Sequence, residues 1–175
     1  MKVKERFLDG VLLIDLECFR DARGFFVERY NRQKFEKLLP AVDFVQDNHS
    51  SSVHRTLRGL HFQKGQAKLV TVMRGSISDV VVDIRKGSKT FGEHCIVNLS
   101  SENPQLLWVP DGFAHGFCVL SDEGADVFYK TTTHYDSSLE SGISYADPDL
   151  EIQWPVQSPI VSERDQKLSG FRQLK

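Results

Sequence analysis

Apolar and polar positions alternate with a period of two, in runs rich in β-branched residues, over 10–16, 68–72, 78–84, 93–99, 106–109, 116–120 and 126–132. Alternation of this kind sends successive side chains to opposite faces of an extended chain and predicts strands with one buried face. Between the runs stand Gly75, Gly87, Gly92, Glu102-Asn103-Pro104 and Asp111-Gly112. These reversals leave too few residues for crossover helices, so the strands are expected to be antiparallel, in the rhythm of a sandwich or barrel. In the first half a helix is predicted over 32–39, capped by Asn31, ended by Pro40 and lying at the periphery. From Tyr135 onward, Asp147-Pro148, Trp154-Pro155 and Ser158-Pro159 predict loops and short turns that wrap the sheets. The expected fold is therefore mainly β, with a few short peripheral helices, and residues 1–175 are expected to form one domain.

Composition narrows the function classes. With 22 basic and 24 acidic residues the formal net charge is -2, which gives no general attraction to nucleic acid. Any anion should meet a local basic pocket instead. The longest apolar stretches, such as 109–120 with Asp111 and His115 inside it, are too short and polar to cross a bilayer, and Glu5 and Asp9 interrupt any signal-peptide core. Cys18, Cys95 and Cys118 lack CxxC spacing, so no disulfide framework or zinc knuckle is expected and a reducing cytoplasm is the expected setting.

Reactive side chains concentrate in two places. Gln46-Asp47-Asn48-His49 is followed by Arg58-Gly59-Leu60-His61-Phe62-Gln63 and Lys68, and Pro110-Asp111-Gly112-Phe113-Ala114-His115-Gly116-Phe117 makes a tight turn that delivers His115 onto an apolar strand. Simple alternation puts Arg58 and Leu60 on one face and Gly59 and His61 on the other, unless a bulge intervenes. Not every polar residue of the first cluster is then expected to share one pocket. Pro110-x-Gly112-x-x-His115 resembles the second motif of the cupin superfamily, and the first cluster resembles its first motif in part. Metal-binding cupins carry His-x-His and a Glu there, whereas this chain reads His61-Phe62-Gln63 and has no acid between Gln63 and Gly75. A transition ion wants several imidazole or carboxylate ligands. No metal and no cofactor are expected, which leaves His61 available for proton chemistry.

A narrower resemblance runs from about residue 21 to 165. Asp21-Ala22-Arg23-Gly24-Phe25-Phe26-Val27-Glu28, Gln46-Asp47-Asn48-His49-Ser50, Leu57-Arg58-Gly59-Leu60-His61, Lys68-Leu69-Val70, Val82-Asp83-Ile84-Arg85, Gly112-Phe113-Ala114-His115-Gly116-Phe117 and Tyr129-Lys130 stand in order. Together they are similar to the dTDP-4-dehydrorhamnose 3,5-epimerase family. The resemblance implies a cupin-type jelly roll, a homodimer, no cofactor, and proton exchange at C3 and C5 of a nucleotide-linked 4-keto-6-deoxy sugar.

Both carbons flank the C4 carbonyl, so loss of either proton makes an enolate, and inversion needs a base, a cation and a proton donor on the opposite face. The family pattern implies His61 as base, Lys68 at the enolate oxygen, Tyr129 as the opposite donor and Asp165 behind His61. Asp83, which also follows an apolar strand, stays open as that carboxylate. For the nucleotide the resemblance implies Arg58, Gln46 and Asn48. It also implies Arg23, Phe26 and Glu28 reaching across from the partner subunit, His115 near the sugar, and Tyr135 beside the nucleotide or in the pocket wall.

Blander readings exist for each. A strand histidine is often a structural hydrogen-bonding group, Lys68 could snorkel, Tyr129 is ordinary in a strand, and Arg23 with Glu28 could be a solvated ion pair. His49 and His54 are read as structural or surface groups. Other functions compatible with the sequence are a single-centre epimerase, a metal-dependent cupin oxygenase or isomerase built on His61 and His115, and a non-catalytic sugar-nucleotide binding module.

Overall fold

The computed structural model describes residues 1–39 and 41–174. Along the chain run β1 (Lys2–Phe7), β2 (Val11–Asp15), β3 (Cys18–Asp21), β4 (Gly24–Val27), helix α1 (Arg32–Glu36), β5 (Gln46–Ser52), β6 (Thr56–Gln63), β7 (Lys68–Arg74) and β8 (Ser76–Asp83). Then follow β9 (His94–Ser100), β10 (Gln105–Val109), β11 (Phe113–Val119), β12 (Ala125–Thr131), β13 (Glu140–Gly142), β14 (Ile160–Val161) and helix α2 (Glu163–Gln166), before a single 3-10 turn at Phe171–Gln173. Every run of alternating residues falls on a strand.

Two sheets face each other, one ordered β1-β2-β10-β7-β12-β5 and the other β13-β6-β11-β8-β9. Pairing is antiparallel as expected, except that β14 lies parallel to β6. Period-two alternation explains the layering. On β7, Val70 and Val72 point into the space between the sheets and Leu69 points out; on β8, Ile77 and Val81 point in while Val80 and Val82 point out. The central core joins these inward residues with Leu13, Leu107, Val109, Phe117 and Val127. The family's jelly-roll architecture is thus present.

Each outer face has its own cover. Helix α1 lays the buried Phe35 on the first sheet, against Trp108 and beside Tyr30 and Phe44. Its start is the predicted one, since Asn31 Oδ1 accepts from the Lys34 N–H at 3.2 Å. It ends at Glu36 rather than at residue 39, because the N–H groups of Leu38 and Leu39 both turn onto the Phe35 carbonyl and tighten the last turn. Pro40, the predicted terminator, lies outside the described residues. The C-terminal third wraps the second sheet with Ile143, Leu150, Ile152 and Trp154, mostly as loops, as its prolines predicted.

Alternation of apolar residues did not reveal β1 or β5. β1 is an edge strand with mostly exposed side chains, so it carries no apolar face. β5, Gln46–Ser52, does alternate in burial, yet its inward side chains are Gln46, Asn48, Ser50 and Ser52. They are polar because this end of the sandwich is not filled with core.

Candidate active site

At that end the two sheets hold apart a cavity of about 520 Å³, within the range of small-molecule sites. The first sheet supplies Ser50 from β5, Lys68 from β7 and Tyr129 from β12; the second supplies Arg58 and His61 from β6 and His115 from β11. Lys68 continues the inward row of Val70 and Val72, and Tyr129 continues that of Val127, so the same periodicity that builds the core delivers both groups to the cavity.

Arg58 and His61 could not both face inward in a regular strand. In the β6–β11 ladder His115 lies opposite His61 but Phe117 lies opposite Arg58, so β6 carries one extra residue there. This bulge overturns the simple alternation: Arg58 and His61 share the cavity, while Leu60 is fully buried in the outer cluster. Gly59 permits it. Its φ is +128°, and a Cβ at this position would sit 2.5 Å from the Gly116 Cα.

The bulge also frees a donor. The Gly59 N–H meets Asp165 Oδ2 at 3.1 Å, and Asp165 Oδ1 lies 2.7 Å from His61 Nε2. Asp165 arrives through β14, which docks Ile160 and Val161 beside Thr56 and Leu57, and through Ser162, whose Oγ caps α2 by accepting from the Asp165 N–H at 3.1 Å. A carboxylate oxygen can only accept, so Nε2 carries a hydrogen, and in the neutral imidazole it is Nδ1 that offers the lone pair. Asp83, the other candidate, is committed elsewhere. Burial opposes its ionisation, but the Arg85 guanidinium and the hydroxyls of Ser88 and Thr90 outweigh burial and hold its carboxyl well below the usual range.

Electrostatics distinguish the remaining groups. Burial lowers the Lys68 ammonium from 10.5 to about 8, against the pull of Glu140 and Asp79. Burial first, and then the charge of Glu140, raise the Tyr129 phenol, which makes it a protonated donor at neutral pH. Its hydroxyl makes no hydrogen bond among the described residues, so it is available to a bound molecule. His115 Nε2 is held at 2.9 Å by Asp79, whose own carboxyl is raised by burial in spite of that histidine.

Metal ligation does not suit this donor set. Gln63, in place of a second imidazole, bonds Thr133 and the His134 carbonyl, and no group of three or more candidate ligands occurs among the described residues.

Over residues 5–173 the chain matches the family model for dTDP-4-dehydrorhamnose 3,5-epimerase. The chain belongs to that enzyme family. Among its relatives, the dTDP-4-dehydrorhamnose 3,5-epimerase of Shigella flexneri is 49% identical, over 94% of this chain and 93% of that protein. The crystal structure of dTDP-6-deoxy-D-glucose-3,5-epimerase from Legionella pneumophila in complex with dTDP-4-keto-L-rhamnose superposes with a TM-score of 0.95, at 42% identity, covering 99% of this chain and 94% of that one. The dTDP-4-dehydrorhamnose 3-epimerase of Streptomyces niveus is 38% identical over 95% of this chain and 82% of its own length.

In this member of the epimerase family the other expected site residues fall into two groups. Gln46, Asn48 and Tyr135 line a small extension of the cavity that also borders His61, Lys68 and Tyr129. Gln46 Nε2 donates to Asn48 Oδ1 at 2.9 Å, and Arg58 Nε donates to Ser52 Oγ at 3.0 Å. Arg23, Phe26 and Glu28 are not brought to the cavity within one chain. Arg23 is paired with Asp21 on the exposed β3–β4 hairpin, Phe26 is 68% exposed beside it, and Glu28 bonds Lys34 and Asn31.

Sequence reasoning missed Glu140 and Arg164. Their side chains pair at 2.7 Å on the cavity wall, and Glu140 also accepts from the Tyr135 hydroxyl at 2.9 Å. Neither stands in an alternating run, and the register of β13 on β6, with Glu140 opposite Gln63, is what brings Glu140 in.

Proposed function

We propose that the chain inverts C3 and C5 of dTDP-4-dehydro-6-deoxy-D-glucose to give dTDP-4-dehydro-L-rhamnose, with His61 as base, Lys68 at the C4 oxygen and Tyr129 as proton donor. One observation carries the reading: His61, oriented by Asp165, and Tyr129, a protonated phenol, enter the same cavity from facing sheets. A base and an acid on opposite walls can exchange protons at opposite faces of a ring, which inversion requires. The Lys68 ammonium becomes more strongly attracted as charge moves onto the oxygen in the enolate. Arg58, Gln46, Asn48 and Tyr135 then receive the nucleotide, with His115 near the sugar.

Turnover in deuterated water tests this. Label should enter at both C3 and C5 of the product. Label at C3 alone would identify a single-centre enzyme of the Streptomyces niveus kind, and no label at either carbon would sink the proposal. Tyr129→Phe is expected to keep exchange while inverted product falls about a hundredfold. Parallel loss of exchange and product would remove Tyr129 from the donor role.

The reading extends to assembly. One domain, working as a homodimer in the cytoplasm, would place the β3–β4 hairpin of each subunit on the other, covering the exposed Phe19, Phe25 and Phe26 and bringing Arg23, Phe26 and Glu28 to the nucleotide. A reducing compartment suits its three free cysteines. Mixing inactive Arg23→Ala and His61→Asn subunits should then recover about a quarter of the wild-type sites, since random pairing makes half the dimers mixed and one site in each of those intact. Mixtures no more active than their components would overturn the shared site.

A further inference from the structure

We propose that Gln63 is a positioning residue for nucleotide binding: its side-chain amide brackets the backbone on both sides of Tyr135 and so sets where that ring stands. The inference rests on the reading above that Tyr135 borders the nucleotide. Gln63 ends β6, two residues beyond His61, and is only 4% exposed. Its Nε2 donates to the His134 carbonyl at 2.8 Å and to Thr133 Oγ1 at 3.1 Å, and its Oε1 accepts from the Asp136 N–H at 2.9 Å. A backbone carbonyl only accepts and a backbone N–H only donates, so one orientation of the amide satisfies both and the flipped one satisfies neither.

The residue between those two backbone groups is Tyr135. Its own N–H donates to Gln46 Oε1 at 2.9 Å. Three successive backbone positions are therefore held by side chains rooted in β6 and β5. Segment 132–139 belongs to no strand, so such brackets, joined by Gln66 Nε2 on the Thr133 carbonyl at 3.2 Å, do what a ladder does elsewhere. The Tyr135 ring is 56% exposed, so packing does little to fix it: its hydroxyl is tied to Glu140 at 2.9 Å, and the backbone beneath sets where the ring starts. Gln63 thus links the strand of the base to the wall of the nucleotide subsite without touching the reacting atoms.

Gln63→Glu keeps the shape but sets a carboxylate oxygen against the His134 carbonyl. Calorimetric titration with dTDP is expected to show binding weakened about tenfold, equivalent to about 1.4 kcal/mol. KM should rise by a similar factor while kcat changes by less than about twofold. Tyr135→Ala should weaken dTDP binding comparably, and adding Gln63→Glu to it should weaken binding by less than a further twofold, because a residue acting through Tyr135 has nothing left to position. A full additional tenfold loss in the double variant overturns the inference, as does unaltered dTDP binding by Gln63→Glu alone when Tyr135→Ala is impaired. Normal dTDP binding by Tyr135→Ala would instead overturn the reading of Tyr135, and this inference with it. Should Gln63→Glu not fold, Thr133→Ala removes one acceptor of the same amide and is expected to cost about threefold in dTDP affinity. No loss there counts against the bracket.

Discussion

Replacing His61 by asparagine is expected to lower turnover, and the rate of solvent deuterium entry at C3 and C5, by about a thousandfold or more, the scale of a well-placed general base. Asparagine is the informative choice because its amide can still donate to Asp165, which is 4% exposed and would otherwise be left buried without that partner. The fold should survive, with dTDP affinity within about threefold of wild type, since the contacts proposed for the nucleotide lie on other residues. Loss confined to the chemical step would isolate the proton transfer. Residual exchange within about tenfold of wild type would mean that another group removes the proton, and the mechanism would have to be rebuilt around it.

Lys68→Met is expected to make the protein more stable and nearly inactive. Burial holds the Lys68 pKa at about 8 instead of 10.5, so at neutral pH the folded chain carries an ammonium that it disfavours by about 3 kcal/mol relative to the unfolded chain. The sign follows from proton counting. Between pH 8 and 10.5 the unfolded chain binds more protons at this site, so stability rises with pH through that window, and below it the full penalty remains. Methionine removes the penalty and fills similar space, so the melting temperature at pH 7 should rise by roughly 5–10 °C. Turnover should fall by about a hundredfold to a thousandfold, the usual effect of deleting one group that stabilises an oxyanion. The wild type itself should lose activity as pH rises through about 8, where Lys68 gives up its proton. A methionine variant that is both destabilised and active would show that the ammonium is neither strained nor used.

These two residues differ in how they can be read from sequence. Lys68 begins an alternating strand, and its inward direction follows from the valines two and four positions on. His61 stands in a motif, but its face does not follow from counting, since the bulge at Gly59 reverses the parity between Arg58 and His61. Strand β5 shows the converse. Its alternation is complete in the structure, yet it is hidden from an apolar count because its inward residues face a cavity and are polar. Sites of this kind depart from core patterning for the same reason that they bind polar molecules.

The carboxylate behind His61 shows where local reasoning stops. Asp165 and Asp83 both suited the role by residue type. The choice depends on a parallel pairing of two short residues, Ile160 and Val161, onto β6, more than a hundred positions upstream, and on a serine cap that turns the next residues inward. Glu140 and Arg164 reach the cavity through comparably long connections, and nothing in their neighbours announces it.

The sequence by itself determined that the chain would form strands, where half of them lie, which families of side chain could do proton chemistry, and that Gln63 stands where a second imidazole would be needed for a metal. Those properties reside in residue type and short spacing. Only the tertiary structure decided which carboxylate orients His61, that Arg58 shares its cavity, and that Gln63 serves the loop of Tyr135 instead. These depend on long-range pairings and on a one-residue step in register. A single such step turns a side chain from one face of a sheet to the other.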